Sequence, residues 1–253
     1  MIDTLAGLPA LDVHAHIATD VTAKQVGRLG HSHTFAVTRT LDEARQVPRG
    51  HDTHLTWGIG VHPGVADAHA TYDESAFAAL LPKFALVGEI GLDRRAGNLD
   101  AQKQTLTSVL RVAADQPVLL SIHSTGAADP LLDLLEAQPH PGVILHWWTD
   151  DGPALDRAIS TGAYFSINAA VKPSILSRLP NDRILTETDF PARQGGGRRP
   201  GDTAAIEATL RDAWNLDAGP CRHRVWANLR RLATRAGALD RLPDSLADLL
   251  ETV

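Results

Sequence analysis

Residues 11–16 read Leu-Asp-Val-His-Ala-His, which sets Asp12, His14 and His16 at alternate positions of an otherwise apolar run. Alternate side chains of a strand share one face. Polar groups turned into a core are costly unless something satisfies them. Two imidazoles ~6.6 Å apart along a strand can converge on one cation. Four other apolar runs end in the same kind of residue: Glu89 and Asp93 in VGEIGLD, His123, His146, and Glu187-Thr188-Asp189. Taken singly, each is a polar strand-end residue satisfied by hydrogen bonds. Taken together, they make the oxygen and nitrogen donor set of a divalent-metal centre.

Such residues converge only if a scaffold brings many strand ends to one place. Eight short apolar, β-branched runs recur along the chain, at 11–16, 34–37, 55–61, 84–90, 118–123, 143–147, 163–167 and 184–188. Between them lie segments of helical periodicity at 100–115, 130–137, 153–160, 203–214 and 222–236. In the first of these Leu106, Val109, Leu110 and Ala113 share a face, and Asn98 is placed to cap it. Strand and helix alternating eight times predicts a single α/β domain over 1–253, a (β/α)8 TIM-type barrel. Its active site would sit at the C-terminal ends of the strands. A doubly wound open sheet usually needs fewer strands. The glycine-rich segment 194–200 follows the eighth strand, and reads either as a functional loop or as a solvated turn.

Composition narrows the function classes. With 253 residues the chain is long enough for a sizeable core, and 43% hydrophobic content argues against disorder. No run approaches the ~20 apolar residues of a membrane span. The start carries no basic region followed by a long apolar run, so no signal peptide is expected. The single cysteine, Cys221, has no partner for an internal disulfide, which favours a cytoplasmic setting. A net charge of −6 lacks the basic footprint of a duplex-binding module, although metal ions can supply local positive charge.

The motifs DVHAH, GIGVHPG, GEIGLD, SIHS, ILHWWT and LTETDFP, with WANLRRL near the end, resemble the TatD family of metal-dependent deoxyribonucleases, within the amidohydrolase superfamily. The resemblance implies a (β/α)8 barrel with two divalent ions, Zn, Mn or Mg. Carried over position by position, His14, His16 and Asp189 would hold one ion, His123 and His146 the other, and Glu89 would bridge them. Asp189 would also act as general base, with Glu89 the second catalytic residue. The implied reaction is exonuclease-type phosphodiester hydrolysis of DNA, single-stranded or from an end, by a water that two metals activate.

Other residues allow two readings. His62 in GVHPG is a phosphate contact, an outer support, or a turn histidine. Asp93 orients a neighbouring ligand, and Asp12 lies deeper with a structural role. Arg94, Arg95, Arg198 and Arg199 are candidate phosphate contacts or plain surface arginines. Trp147 and Trp148 replace the family's usual residues after the sixth strand, as a base-stacking platform or as packing under a helix. Asp150 and Asp151 put negative charge where a nuclease has no use for it. His31, His33, His51, His54, His69, His140 and His223 read as loop histidines without a metal role. Two rival functions remain: hydrolysis of another ester, lactone or amide on the same centre, and a metal-binding subunit without turnover.

Overall fold

The computed structural model describes residues 7–48 and 54–253. Eight strands lie side by side in chain order: β1 (Ala10–His16), β2 (Ser32–Val37), β3 (Leu55–Ile59), β4 (Leu86–Asp93), β5 (Leu119–Thr125), β6 (Val143–His146), β7 (Tyr164–Ile167) and β8 (Ile184–Thr186). Every neighbouring pair is parallel. The ring is brought round where β8 meets β1. There Thr186 Oγ1 donates to the Leu11 carbonyl, Asp189 N donates to His14 O at 2.9 Å, and His16 N donates to Phe190 O at 2.8 Å. This is a (β/α)8 barrel, as the alternation of runs predicts.

The helices follow their apolar faces. Leu99–Ala113 buries Leu106, Val109, Leu110 and Ala113, and the Asn98 side chain accepts from Ala101 N at 3.3 Å. Ala128–Ala137, Pro153–Ser160, Ala204–Trp214 and Ala218–Arg235 match the remaining periodic segments to within a few residues. Among the described residues, no helix is long and apolar enough to cross a membrane. Cys221 is buried in the helix Ala218–Arg235.

Several boundaries differ from the sequence reading, each for a local reason. β2 begins at Ser32 and takes in His33, which is strand and not loop. A hydroxyl of the next strand satisfies that buried imidazole: His33 Nε2 lies 2.8 Å from Thr56 Oγ1. His69 sits on the helix Ala66–Ala70 and reaches Thr105 Oγ1, and His223 is helical. His140 does lie in a turn, where its Nδ1 accepts from Gly142 N. His51 lies outside the described residues. β4 runs on to Asp93 because Gln102 grips that residue from the neighbouring helix, accepting from Asp93 N at 2.7 Å and donating to Asp93 O at 2.9 Å.

Gly91 lets β4 close against β5. Its φ is +141°, and a Cβ there would stand 2.2 Å from the His123 carbonyl oxygen. Only glycine fits that backbone and that gap. Gly91→Ala is therefore expected to cost roughly 3 kcal/mol and to lower Tm by roughly 6–12 °C. Thermal unfolding followed by circular dichroism measures this, and an unchanged Tm would refute the packing argument.

Candidate metal centre

Glu89 on β4 carries a carboxylate that is 1% exposed. Imidazoles from three strands and one loop surround it. Its Oε2 lies 3.4 Å from His14 Nε2, 3.0 Å from His16 Nε2 and 3.2 Å from His62 Nε2. Its Oε1 lies 2.9 Å from His123 Nδ1 and 3.2 Å from His146 Nε2. The two oxygens thus face two separate imidazole sets. Asp189, just past β8, completes the first set, with Oδ1 3.6 Å from His14 Nε2 and 3.7 Å from His16 Nε2. All six residues expected as ligands are brought together, and His62 joins them through Glu89.

The donor atoms behave as a cation site would require. Among the described residues, His14 Nε2 and Glu89 Oε2 are buried without a hydrogen-bond partner. Three overlapping sets have ligand atoms within 4.8 Å of one another: His14, Glu89 and His146; His14, His16 and Asp189; His16, His62 and Glu89. Orphaned buried donors and acceptors are uncommon in folded proteins, and a bound ion is one of their explanations. A mixed imidazole and carboxylate set suits Zn or Mn, and holds Mg less well.

The charges are coupled. Burial opposes ionisation of Glu89, but His146, His123 and His14 hold its carboxyl well below the usual range. Burial also opposes a proton on His146, yet Glu89 and Glu187 raise its pKa well above that of a free imidazole. Burial and the charge of His146 push His14 down, leaving a neutral ring with a lone pair to offer. Asp189 is pushed up to about 6, chiefly by burial.

Each inner imidazole has a partner behind it. His14 Nδ1 lies 2.7 Å from Ser121 Oγ. His123 Nε2 faces Asp93 at 3.5 Å, as the sequence reading expected of Asp93. His146 Nδ1 faces Glu187 at 3.6 Å, and Ser166 and Asn168 donate to that carboxylate. Ser121 stands within hydrogen-bond distance of its ring, Asp93 and Glu187 just outside it, and groups so placed orient a ligating ring. Glu187 therefore stands behind the cluster, outside the donor set that the chain's ETD triplet suggested. Ser121 carried no sequence signal beyond lying two residues before His123 on the same strand.

Asp12 has the deeper role foreseen for it. Fully buried, it accepts from Thr188 N at 2.9 Å, Thr188 Oγ1 at 2.7 Å and Gly201 N at 2.8 Å. It pins both the segment bearing Asp189 and the far end of the glycine-rich loop. That pinning draws the loop toward β1 and β2. Arg199 accordingly donates to the Leu29 carbonyl, and neither it nor Arg198 lines the cavity over the cluster. Arg94 spends its guanidinium on the Gly126 carbonyl at 2.6 Å. Of the four arginines, Arg95 alone lines that cavity, a space of about 510 Å³ running from His123, His146 and Asp189 past Trp147, Thr149 and Lys172.

The tryptophan pair divides. Trp148 is 3% exposed, packs edge-on against Phe165 and donates to Asp150 O. Trp147 stands at the cavity wall, with φ +40°. Asp189 has φ +48°. Left-handed backbone at bulky, non-glycine residues costs about 1–3 kcal/mol each, and it persists where surrounding structure enforces it.

With this geometry in hand, the likeness to known proteins becomes specific. The sequence model described as TatD related DNase matches residues 11–234. The chain belongs to this family. TatD-family relatives include the 3'-5' ssDNA/RNA exonuclease TatD of Escherichia coli, 28% identical over 146 residues, a match covering 52% of this chain and 56% of that protein. The enzyme of the same name from Dickeya dadantii is 27% identical over 187 residues, covering 67% of this chain and 69% of that protein. The crystal structure of YJJV, a TatD homologue from Escherichia coli, superposes with a TM-score of 0.71 at 21% identity, covering 88% of this chain and 96% of that one.

The carboxylate behind His146 provides a test of the ligand geometry in this TatD-family chain. Glu187→Ala is expected to weaken divalent-cation binding about 10–100-fold. Isothermal titration of metal-stripped protein with Zn or Mn reads this directly. Parent-like affinity in a folded variant would show that Glu187 does not orient the ring.

Proposed function

We propose that the protein is a divalent-metal-dependent phosphodiesterase that cleaves nucleic acid, with single-stranded DNA or DNA ends as substrate, in the cytoplasm. The observation that carries this reading is the division of imidazoles between the two oxygens of one buried carboxylate, with Asp189 beside one set. In this reading His14, His16 and Asp189 would hold one ion, His123 and His146 would hold a second, and Glu89 would serve both. Bound divalent ions supply Lewis-acid polarisation of a phosphoryl oxygen and make water a stronger acid at neutral pH. Asp189 takes the proton of the attacking water, from a position 14% exposed at the edge of the cavity. Asp93, Ser121 and Glu187 keep the three imidazoles turned inward. His62, 20% exposed, stands at the cluster's solvent side, placed to meet a substrate oxygen. The names of the TatD relatives support nucleic acid as the substrate.

Asp189→Asn and Glu89→Ala should each lower turnover of a single-stranded oligonucleotide by at least about 100-fold while leaving the far-ultraviolet spectrum unchanged. Chelation should abolish activity, and Mn, Zn or Mg should restore it. Turnover of nitrophenyl esters or lactones with none of DNA or RNA would overturn the nucleic-acid reading, and near-normal activity of either variant would overturn its role.

A further inference from the structure

The cavity beside the cluster continues into a second space of about 470 Å³, and the two share Arg95, Ser124, Thr149 and Lys172. Lys172 was not foreseen in the sequence. It stands in the loop after β7, and its side chain is 52% exposed. Arg95 stands after β4. These are the only lysine and arginine among the described residues lining either space.

The two acidic residues that seemed to spoil this region for a polyanion are already engaged. Asp151 faces Lys172 Nζ at 3.3 Å and accepts from Ser174 at 3.1 Å. Asp150 accepts from Gly152 N at 2.9 Å within its own turn. Asp151 therefore holds the ammonium at the cavity wall. An incoming phosphate would add a second anionic partner on its open side.

The aromatic wall is Trp147, directly after His146 in the chain. Its left-handed backbone is an independent sign that the side chain's place is enforced by its surroundings. A partly exposed indole, an ammonium, a guanidinium and hydroxyls on Ser124 and Thr149 make up one wall chemistry. It is that of a nucleotide: a flat π-face for the base, cations for the phosphate.

We propose that this cavity is a nucleotide subsite next to the scissile position, in which Trp147 stacks a base while Lys172 and Arg95 hold the phosphate that follows it. The proposal rests on the nucleic-acid reading above. It names the side chains by which a chain of net charge −6 grips a polyanion beyond its metal ions. It also moves that grip away from Arg198 and Arg199 to the loops after β4, β6 and β7.

The test is equilibrium binding of a 5'-fluorescein phosphorothioate oligo(dT), which keeps its charges and resists cleavage, to the full Mn-supplemented protein across a salt series. Lys172→Ala and Arg95→Ala should each weaken binding and lower the slope of log K against log salt by about 0.7, the share of one phosphate on a single strand. Trp147→Leu should weaken binding at least about fivefold with the slope unchanged, and Trp147→Phe should restore most of it. Lys172→Arg should keep the parent slope. If the parent neither binds this oligonucleotide nor cleaves its phosphodiester counterpart, the nucleic-acid reading falls and the subsite with it. If the parent does both while Lys172→Ala, Arg95→Ala and Trp147→Leu match it in affinity and slope, the subsite alone is overturned.

Discussion

A carboxylate taken out of water is tolerated only where opposite charge or hydrogen-bond donors replace the lost solvent. Glu89 meets this constraint at the mouth of the barrel, and the surrounding structure is arranged around that requirement. Five imidazoles approach it, three at one oxygen and two at the other. Histidines alone answer the charge only by holding protons, and burial together with the charge of His146 pushes His14 the other way. A bound metal cation would resolve the conflict, because it brings positive charge and accepts neutral imidazole lone pairs.

The barrel satisfies the constraint by geometry. Parallel strands deliver all their C-terminal ends to one face, so residues far apart in sequence meet there. Precision then comes from what stands behind them. Gln102 fixes Asp93, Asp93 faces His123, Glu187 faces His146, and Ser121 meets His14. Asp12 ties the β8 end to β1, so that Asp189 is held from two sides. The left-handed backbones of Trp147 and Asp189 lie at this same face, where the packing cost is offset by position.

Much of this was legible in the sequence because it depends on periodicity and on residue type. The period-two placement of His14 and His16, the single donors ending other apolar runs, and the alternation of strand and helix all reported on the fold directly. Asp12 and Asp93 were legible as supports because each lies within a few residues of a donor. The rest depended on long-range placement. Nothing in the residues around Lys172 announces a cavity wall; only the position of its loop after β7 does. The sequence places Arg198 and Arg199 after β8 as candidates for a polyanion, but the hydrogen bond from Gly201 N to Asp12 draws that loop aside. His33 read as loop because its satisfying hydroxyl, on Thr56, comes from another strand.

The central claim is that the cluster around Glu89 is a divalent-metal centre. Anomalous diffraction from crystals of the protein supplied with Mn or Zn tests it most directly. The account predicts strong peaks on both sides of the Glu89 carboxylate, one beside His14, His16 and Asp189, the other beside His123 and His146. Clear density for these side chains with no anomalous peak among them, at saturating metal, would contradict it.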